Sequence, residues 1–61
     1  SKDWRIELAD SIMKYCKNNN LDFSKEKTSI LLSVTGTRDF ANVSNIDAYE
    51  AMKKVKALPK L

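Results

Sequence analysis

The chain has 61 residues, of which 43% are hydrophobic and 31% are charged, and its net charge is +3. A chain of this length forms one domain that buries only about 60% of its unfolded surface, and the composition is that of a folded domain, not a disordered segment. With one glycine, one cysteine and no histidine, it cannot supply an internal disulfide, a four-ligand zinc site or a glycine-rich phosphate loop.

Residues 1–61 are interpreted as a single small helical domain, which we expect to be excised from a larger protein. The chain begins with Ser1-Lys2-Asp3, without an initiator methionine or the apolar core of a signal peptide. It ends with KALPKL, a sequence typical of the start of a linker. Because a lone cysteine, Cys16, suits a reducing compartment, we expect an intracellular location.

The first predicted element is an amphipathic helix over residues 3–18. Its apolar residues cover an arc of about 200° on a helical projection, which is wider than the roughly 100° that a surface helix needs. Ser11 falls on the opposite side, among charged residues. The run Asn18-Asn19-Asn20 is expected to end the helix, because asparagine competes for backbone hydrogen bonds and tolerates a left-handed backbone.

The second predicted element is a helix over residues 24–35, with Ser24 as its N-cap. Residues 29–35 also fit a strand, because apolar residues alternate there and β-branched residues are frequent. A strand needs a partner, however, and no other segment of the chain alternates well. The helix is therefore favoured, and Gly36 is expected to take the left-handed position that follows its last turn.

The third predicted helix covers residues 45–58, and a short helical turn at 37–43 is expected to precede it. Ser44 is a good N-cap for this helix, with an acidic residue three positions later as in a capping box. Pro59 disfavours helical geometry at the residue before it, so Leu58 is the predicted last helical residue.

Three helices with apolar faces predict an all-α fold, a small three-helix bundle. The predicted core is Trp4, Leu8, Ile12, Tyr15, Phe23, Ile30, Leu31, Val34, Phe40, Tyr49, Met52 and Val55. A helix-turn-helix motif would need a small residue where its two helices cross and a recognition helix directly after the turn. Leu32 is bulky at that crossing position, and the next strong helix starts well after Gly36, so we do not expect the standard motif.

Catalytic chemistry has little support in the sequence. Without histidine, no Cys–His or Ser–His pair can form. Carboxylates at helical spacing, such as Glu7 with Asp10, are typical of a solvated helix face. Cys16 is interpreted as a small buried hydrophobic residue, not as a reactive thiol. We therefore predict no enzymatic activity, no cofactor and no bound metal.

The leading functional hypothesis is a non-enzymatic interaction domain that binds a protein partner or another domain of its parent chain. We expect the parent to be a regulatory or replication- or transcription-related protein, and the domain to be a monomer or a weak oligomer. The wide apolar arc of the first helix leaves large residues at its edges, where methionine and tryptophan are frequent partner contacts. The candidate partner-binding residues are Trp4, Ile6 and Met13. No apolar run approaches the about 20 residues that span a bilayer, so no membrane partner is expected.

The alternative hypothesis is a DNA- or RNA-binding domain with a basic face formed by the last helix and the ends of the second. Such a face would bind phosphates with a salt-dependent affinity. Its candidate residues are Lys25, Lys27, Arg38, Lys53, Lys54, Lys56 and Lys60. Against it, lysines in a last helical turn complement the helix dipole, and the chain has few arginines to read base edges. The aromatic residues are all assigned to the core, which leaves no stacking platform.

Overall fold

Three α-helices and one short 3-10 turn make up the fold in the computed structural model, which describes all of residues 1–61. Helix α1 covers Trp4–Asn18, α2 covers Phe23–Thr35, the 3-10 turn covers Phe40–Asn42, and α3 covers Asn45–Lys56. The predicted all-α three-helix bundle is confirmed, and residues 29–35 are helical, not a strand. None of the helices combines the length and the apolar character that crossing a lipid bilayer requires.

Helices α1 and α3 run in the same direction, and α2 leads the chain from the end of α1 back toward the start of α3. At one end of the bundle, the backbone N–H of Trp4 donates to Oδ1 of Asn45 at 2.7 Å. At the other end, the backbone N–H of Leu61 donates to Oδ1 of Asn19 at 2.6 Å. The loop between α1 and α2 is short, so α2 begins beside the end of α1. The C-terminal halves of α1 and α3 therefore lie at the same end of the bundle as the N-terminal half of α2.

The core lies mainly between α1 and α3, which share the most extensive interhelical contact. Its buried hydrophobic residues are Leu8, Ile12, Cys16, Leu31, Val43, Ala48, Ala51, Met52 and Val55. Of the other predicted core residues, six are half-buried against this cluster, namely Trp4, Tyr15, Phe23, Ile30, Val34 and Phe40. Tyr49 is 37% exposed, so its assignment to the core was wrong. It lies instead at the edge of α3, with its ring against that of Trp4.

Small side chains line the contact between α1 and α3. Ala48 and Ala51 are buried on α3, and Ser11 is buried on α1 with only 5% of its surface exposed. The expectation that Ser11 belongs to the polar side of α1 was wrong. Its Oγ donates to the carbonyl oxygen of Leu8 at 2.7 Å, so the hydroxyl is satisfied within its own helix and can be buried without penalty.

The asparagine run ends α1 as predicted. Asn20 has a φ of 57°, which is the left-handed conformation. The N–H of Leu21 donates to the carbonyl oxygen of Cys16 at 2.8 Å, and the N–H of Asn20 donates to that of Lys17 at 3.4 Å. This pair of bonds is a Schellman motif, which satisfies carbonyl groups that the end of a helix leaves free.

Three helix boundaries differ from the predicted ones. Helix α1 starts at Trp4 and not at residue 3, because Asp3 is its N-cap, with Oδ1 accepting from the N–H of Arg5 at 3.0 Å. Helix α2 starts at Phe23, one residue early, because Asp22 and not Ser24 is its N-cap, with Oδ1 accepting from the N–H of Ser24 at 2.9 Å. Helix α3 starts after Ser44 as predicted, but its last residue is Lys56. Pro59 restricts the residue before it, so the final turn loosens before Leu58 is reached.

Gly36 ends α2 in the left-handed conformation, as predicted, with a φ of 81°. A Cβ atom added there would meet nothing within 4 Å, so a substitution acts through backbone conformation alone. We expect Gly36→Ala to lower the free energy of unfolding by about 1–2 kcal/mol, and Gly36→Asn to lower it by less, because asparagine tolerates this conformation. Urea denaturation measures both values, and an alanine variant as stable as the native chain would contradict the prediction.

Asn45 joins the starts of α1 and α3. Its Oδ1 accepts from the N–H of Trp4 at 2.7 Å, and its Nδ2 donates to the carbonyl oxygen of Lys2 at 3.0 Å. We expect Asn45→Ala to lower the free energy of unfolding by about 1 kcal/mol, because it removes both bonds. Asn45→Asp keeps the acceptor and places a negative charge at two helix N-termini, so it should be nearly neutral at pH 7. Thermal denaturation of the two variants tests this difference, and equal losses would contradict it.

Candidate nucleic-acid interface

The path of the three helices separates the charges of the chain. The half that holds the end of α1, the start of α2 and the end of α3, residues 11–29 and 51–61, contains eight basic side chains and two acidic ones, a net charge of +6. The other half contains three basic and six acidic side chains, a net charge of −3. We call the first half the lysine-rich end; its basic residues are Lys14, Lys17, Lys25, Lys27, Lys53, Lys54, Lys56 and Lys60.

All eight of these lysines are exposed, and most have no carboxylate partner. Lys14 contacts Asp10 at 3.0 Å, and Lys53 contacts Glu50 at 3.1 Å. The Asp10 carboxylate raises the pKa of the Lys14 ammonium above its ordinary value, first through the hydrogen bond and then through its charge. The other six lysines lie farther than 4.0 Å from any carboxylate oxygen, so their charge is available to a partner.

Helix dipoles account for only a small part of this charge. The C-termini of α1 and α3 each carry about half a negative elementary charge, and the N-terminus of α2 carries about half a positive one. Their sum at the lysine-rich end is therefore about −0.5, against a side-chain charge of +6, or +4 when the paired Asp10 and Glu50 are counted with it. If the lysines served only to balance the helix dipoles, the lysine-rich end would not carry a net positive charge of this size.

A pocket opens between the C-terminal ends of α1 and α3, within the lysine-rich end. Its volume is about 430 Å³. Lys14, Lys56 and Lys60 lie around it, and no carboxylate side chain is among its lining residues. We call it the α1–α3 pocket.

The apolar part of the α1–α3 pocket consists of Tyr15, Val55 and Leu58. Val55 is buried, Tyr15 is half-buried, and Leu58 is 38% exposed. Asn19 holds this region together, because its Nδ2 donates to the carbonyl oxygen of Tyr15 at 2.8 Å while its Oδ1 accepts from the N–H of Leu61. The segment that carries Leu58 and Lys60 is thereby attached to the end of α1.

The three predicted partner-binding residues do not share one surface. Ile6 is 66% exposed and Met13 is 49% exposed, two turns apart along one side of α1. Trp4 lies at the opposite edge of the apolar arc and is half-buried, with its ring centroid 4.6 Å from that of Tyr49 in an edge-on arrangement. Only Ile6 and Met13 therefore offer an apolar surface on α1.

The predicted basic residues fall into two groups. Six of them lie in the lysine-rich end, namely Lys25, Lys27, Lys53, Lys54, Lys56 and Lys60. Arg38 follows the end of α2 and lies at the opposite end of the bundle, so it cannot belong to the same face. Lys14, Lys17 and Tyr15 were not among the predicted site residues. Three helices joined by short connections alternate in direction along the chain, and this alternation could have predicted that these three residues lie beside the lysines of α2 and α3.

Cys16 is inaccessible in the native fold, with 1% of its surface exposed. Burial raises the pKa of its thiol, and the carboxylates of Glu26 and Asp22 raise it further. We therefore expect Ellman's reagent to label Cys16 far more slowly in the native domain than in denaturant. Equal labelling rates in both states would contradict this burial.

Burial of the Cys16 thiol also makes the stability of the domain depend on pH. Because the pKa of the thiol is higher in the folded state than in the unfolded state, its contribution to the free energy of unfolding is complete below its ordinary pKa of 9.0 and is lost as the pH rises above that value.

The connection between α2 and α3 occupies residues 36–44, which is longer than the turn of about three or four residues in a helix-turn-helix motif. A recognition helix placed by that motif is therefore not part of this interface. No protein-family model, curated protein or solved structure matches the chain, so a functional assignment rests on the geometry of the lysine-rich end.

Proposed function

We propose that this chain is a non-enzymatic binding domain whose lysine-rich end contacts the phosphates of a nucleic acid. The observation that carries the proposal is the concentration of eight lysines in one half of a small bundle, against two carboxylates within that half and two more, Asp10 and Glu50, at its border. Six of these lysines have no carboxylate partner, so binding a polyanion breaks no ion pair that they make. The other half carries more acidic than basic side chains, so it offers no comparable site for the same partner.

The residue types favour contacts with the backbone of a nucleic acid over the reading of bases in a groove. Lysine acts as a point charge toward phosphate, whereas arginine gives the bidentate contacts that distinguish guanine. The chain has two arginines, Arg5 and Arg38, and both lie outside the lysine-rich end. Binding should therefore depend weakly on base sequence and strongly on ionic strength.

A titration of fluorescently labelled oligonucleotides, followed by anisotropy at several salt concentrations, tests the proposal. If about four lysines contact phosphates, the affinity should fall about 50- to 150-fold between about 50 and about 200 mM salt. Oligonucleotides of different sequence but equal length should bind with similar affinity. An absence of binding at low salt, or an affinity that does not change with salt, would contradict the proposal.

A second candidate function, the binding of an apolar segment of a protein partner, is supported by the exposure of Ile6 and Met13. The matched comparison is capture of partners by the native domain and by an Ile6→Ser/Met13→Ser double variant, with Ile46→Ser as the control. Ile46 is 77% exposed, so its substitution makes a similar change elsewhere on the surface. A protein that is lost only with the double variant would support this function, and identical capture by all three proteins would contradict it.

A further inference from the structure

We infer that the α1–α3 pocket receives one unpaired base of a nucleic acid, while Lys56 and Lys60 contact the adjoining phosphates. The inference rests on the proposed function and deepens it, because it selects single-stranded over double-stranded nucleic acid as the preferred ligand.

The pocket has the size and the chemistry of a site for an aromatic anion. Its volume of about 430 Å³ lies within the range of about 300–1,000 Å³ that is typical of small-ligand sites. Tyr15 and Leu58 supply an apolar surface above the buried Val55, and lysine side chains lie beside it. A nucleotide combines the same two features, a flat apolar base and a charged phosphate a short distance away.

Tyr15 is the aromatic residue that a base can contact here. All aromatic residues were predicted to lie in the core, but Tyr15 is only half-buried and lines the pocket. Aromatic side chains bind bases by stacking, an interaction that tolerates every base sequence. Paired bases are stacked within the duplex, so only an unpaired base can enter the pocket.

Two sources can supply this ligand chemistry, a strand of nucleic acid and a free mononucleotide. A strand offers additional phosphates to the lysines outside the pocket, such as Lys17, Lys25 and Lys54. A free mononucleotide reaches the pocket lysines alone, so it should bind more weakly. Its affinity should also fall less steeply with salt, because fewer phosphates are neutralised.

The test compares four ligands by anisotropy or competition: a single-stranded oligonucleotide, an abasic strand of the same length, a duplex of that length, and a free mononucleotide. The native domain should bind the single strand about fivefold or more tightly than the abasic strand, which corresponds to the lower limit of base–aromatic stacking. Lys25→Glu, which lies outside the pocket, should weaken binding of the single strand, the abasic strand and the duplex alike.

Variants of the pocket complete the test. Tyr15→Leu should remove the preference for the strand with bases, and Tyr15→Phe should keep it. Because Tyr15 also packs against the core, Leu58→Ala serves as a second variant that leaves the folded core intact, with Leu61→Ala as its control. Leu61 is 80% exposed and does not line the pocket, so its substitution should leave the preference unchanged.

The outcomes separate the inference from the proposed function. If the single strand, the abasic strand and the duplex bind with equal affinity, the lysine-rich end binds phosphates but the pocket takes no base, and the inference is overturned alone. A preference that survives both Tyr15→Leu and Leu58→Ala places the base elsewhere and also overturns it. If neither the strands nor the mononucleotide bind at low salt, the inference and the proposed function fail together.

Discussion

The Lys56→Glu variant is expected to bind single-stranded nucleic acid about tenfold more weakly than the native domain, because it removes one phosphate contact and adds a repulsive charge. Lys56 lies beside the α1–α3 pocket and has no carboxylate partner. The slope of log affinity against log salt should also become shallower by about one unit, since one phosphate fewer is neutralised. Anisotropy titrations at three or more salt concentrations give both quantities.

Arg38→Glu is the matched control for this prediction. It makes the same change in net charge, but Arg38 follows the end of α2 and lies at the opposite end of the bundle. Exposed charges more than about 10 Å apart are largely screened at about 0.1 M salt, so this variant should bind with nearly native affinity. Equal losses for the two variants would mean that total charge controls binding, and the lysine-rich end would then not be a defined site.

The largest effect on stability is expected from Ile12→Ala, which should lower the free energy of unfolding by about 2–5 kcal/mol. Ile12 is completely buried between the helices, so the substitution removes apolar contacts and leaves a cavity. A domain of this size has a total stability of roughly 3–9 kcal/mol. The variant should therefore be partly or largely unfolded at 25 °C, which circular dichroism and urea denaturation will show.

The next residue along the chain provides the control. Met13 is 49% exposed, and its truncation to alanine should change the free energy of unfolding by no more than about 0.5 kcal/mol. The two substitutions remove similar numbers of atoms from adjacent positions of α1, so a difference between them reports on burial and not on helix propensity. Similar losses of stability would contradict the placement of α1 in the bundle.

Local features of the sequence were sufficient to predict the helices and several of their ends. The apolar spacing predicted all three helices, and Gly36 and Ser44 occupy the terminal positions that their chemistry favours. These features depend on residues within one or two turns of each other. The N-cap of α2 was predicted wrongly because Asp22 and Ser24 are both good caps, and local preference alone does not choose between them.

Features that depend on the contact between helices were not predictable in the same way. A helical projection places Ser11 among polar residues, but it does not show that α3 approaches closely enough to bury a small side chain there. It also assigns Tyr15 to the apolar face without showing that α3 ends near it and leaves one side open. The candidate interface belongs to this second class, since its lysines come from all three helices.

Nuclear magnetic resonance of the ¹⁵N-labelled domain, titrated with an unlabelled single-stranded oligonucleotide, tests the central claim most directly. The proposed function predicts that amide shifts concentrate in residues 14–27 and 53–60 and disappear at high salt. The amides of Trp4 and Asn45, at the opposite end, should keep their positions. Shifts centred on Ile6 and Met13 or on the opposite end, or no shifts at low salt, would contradict the account.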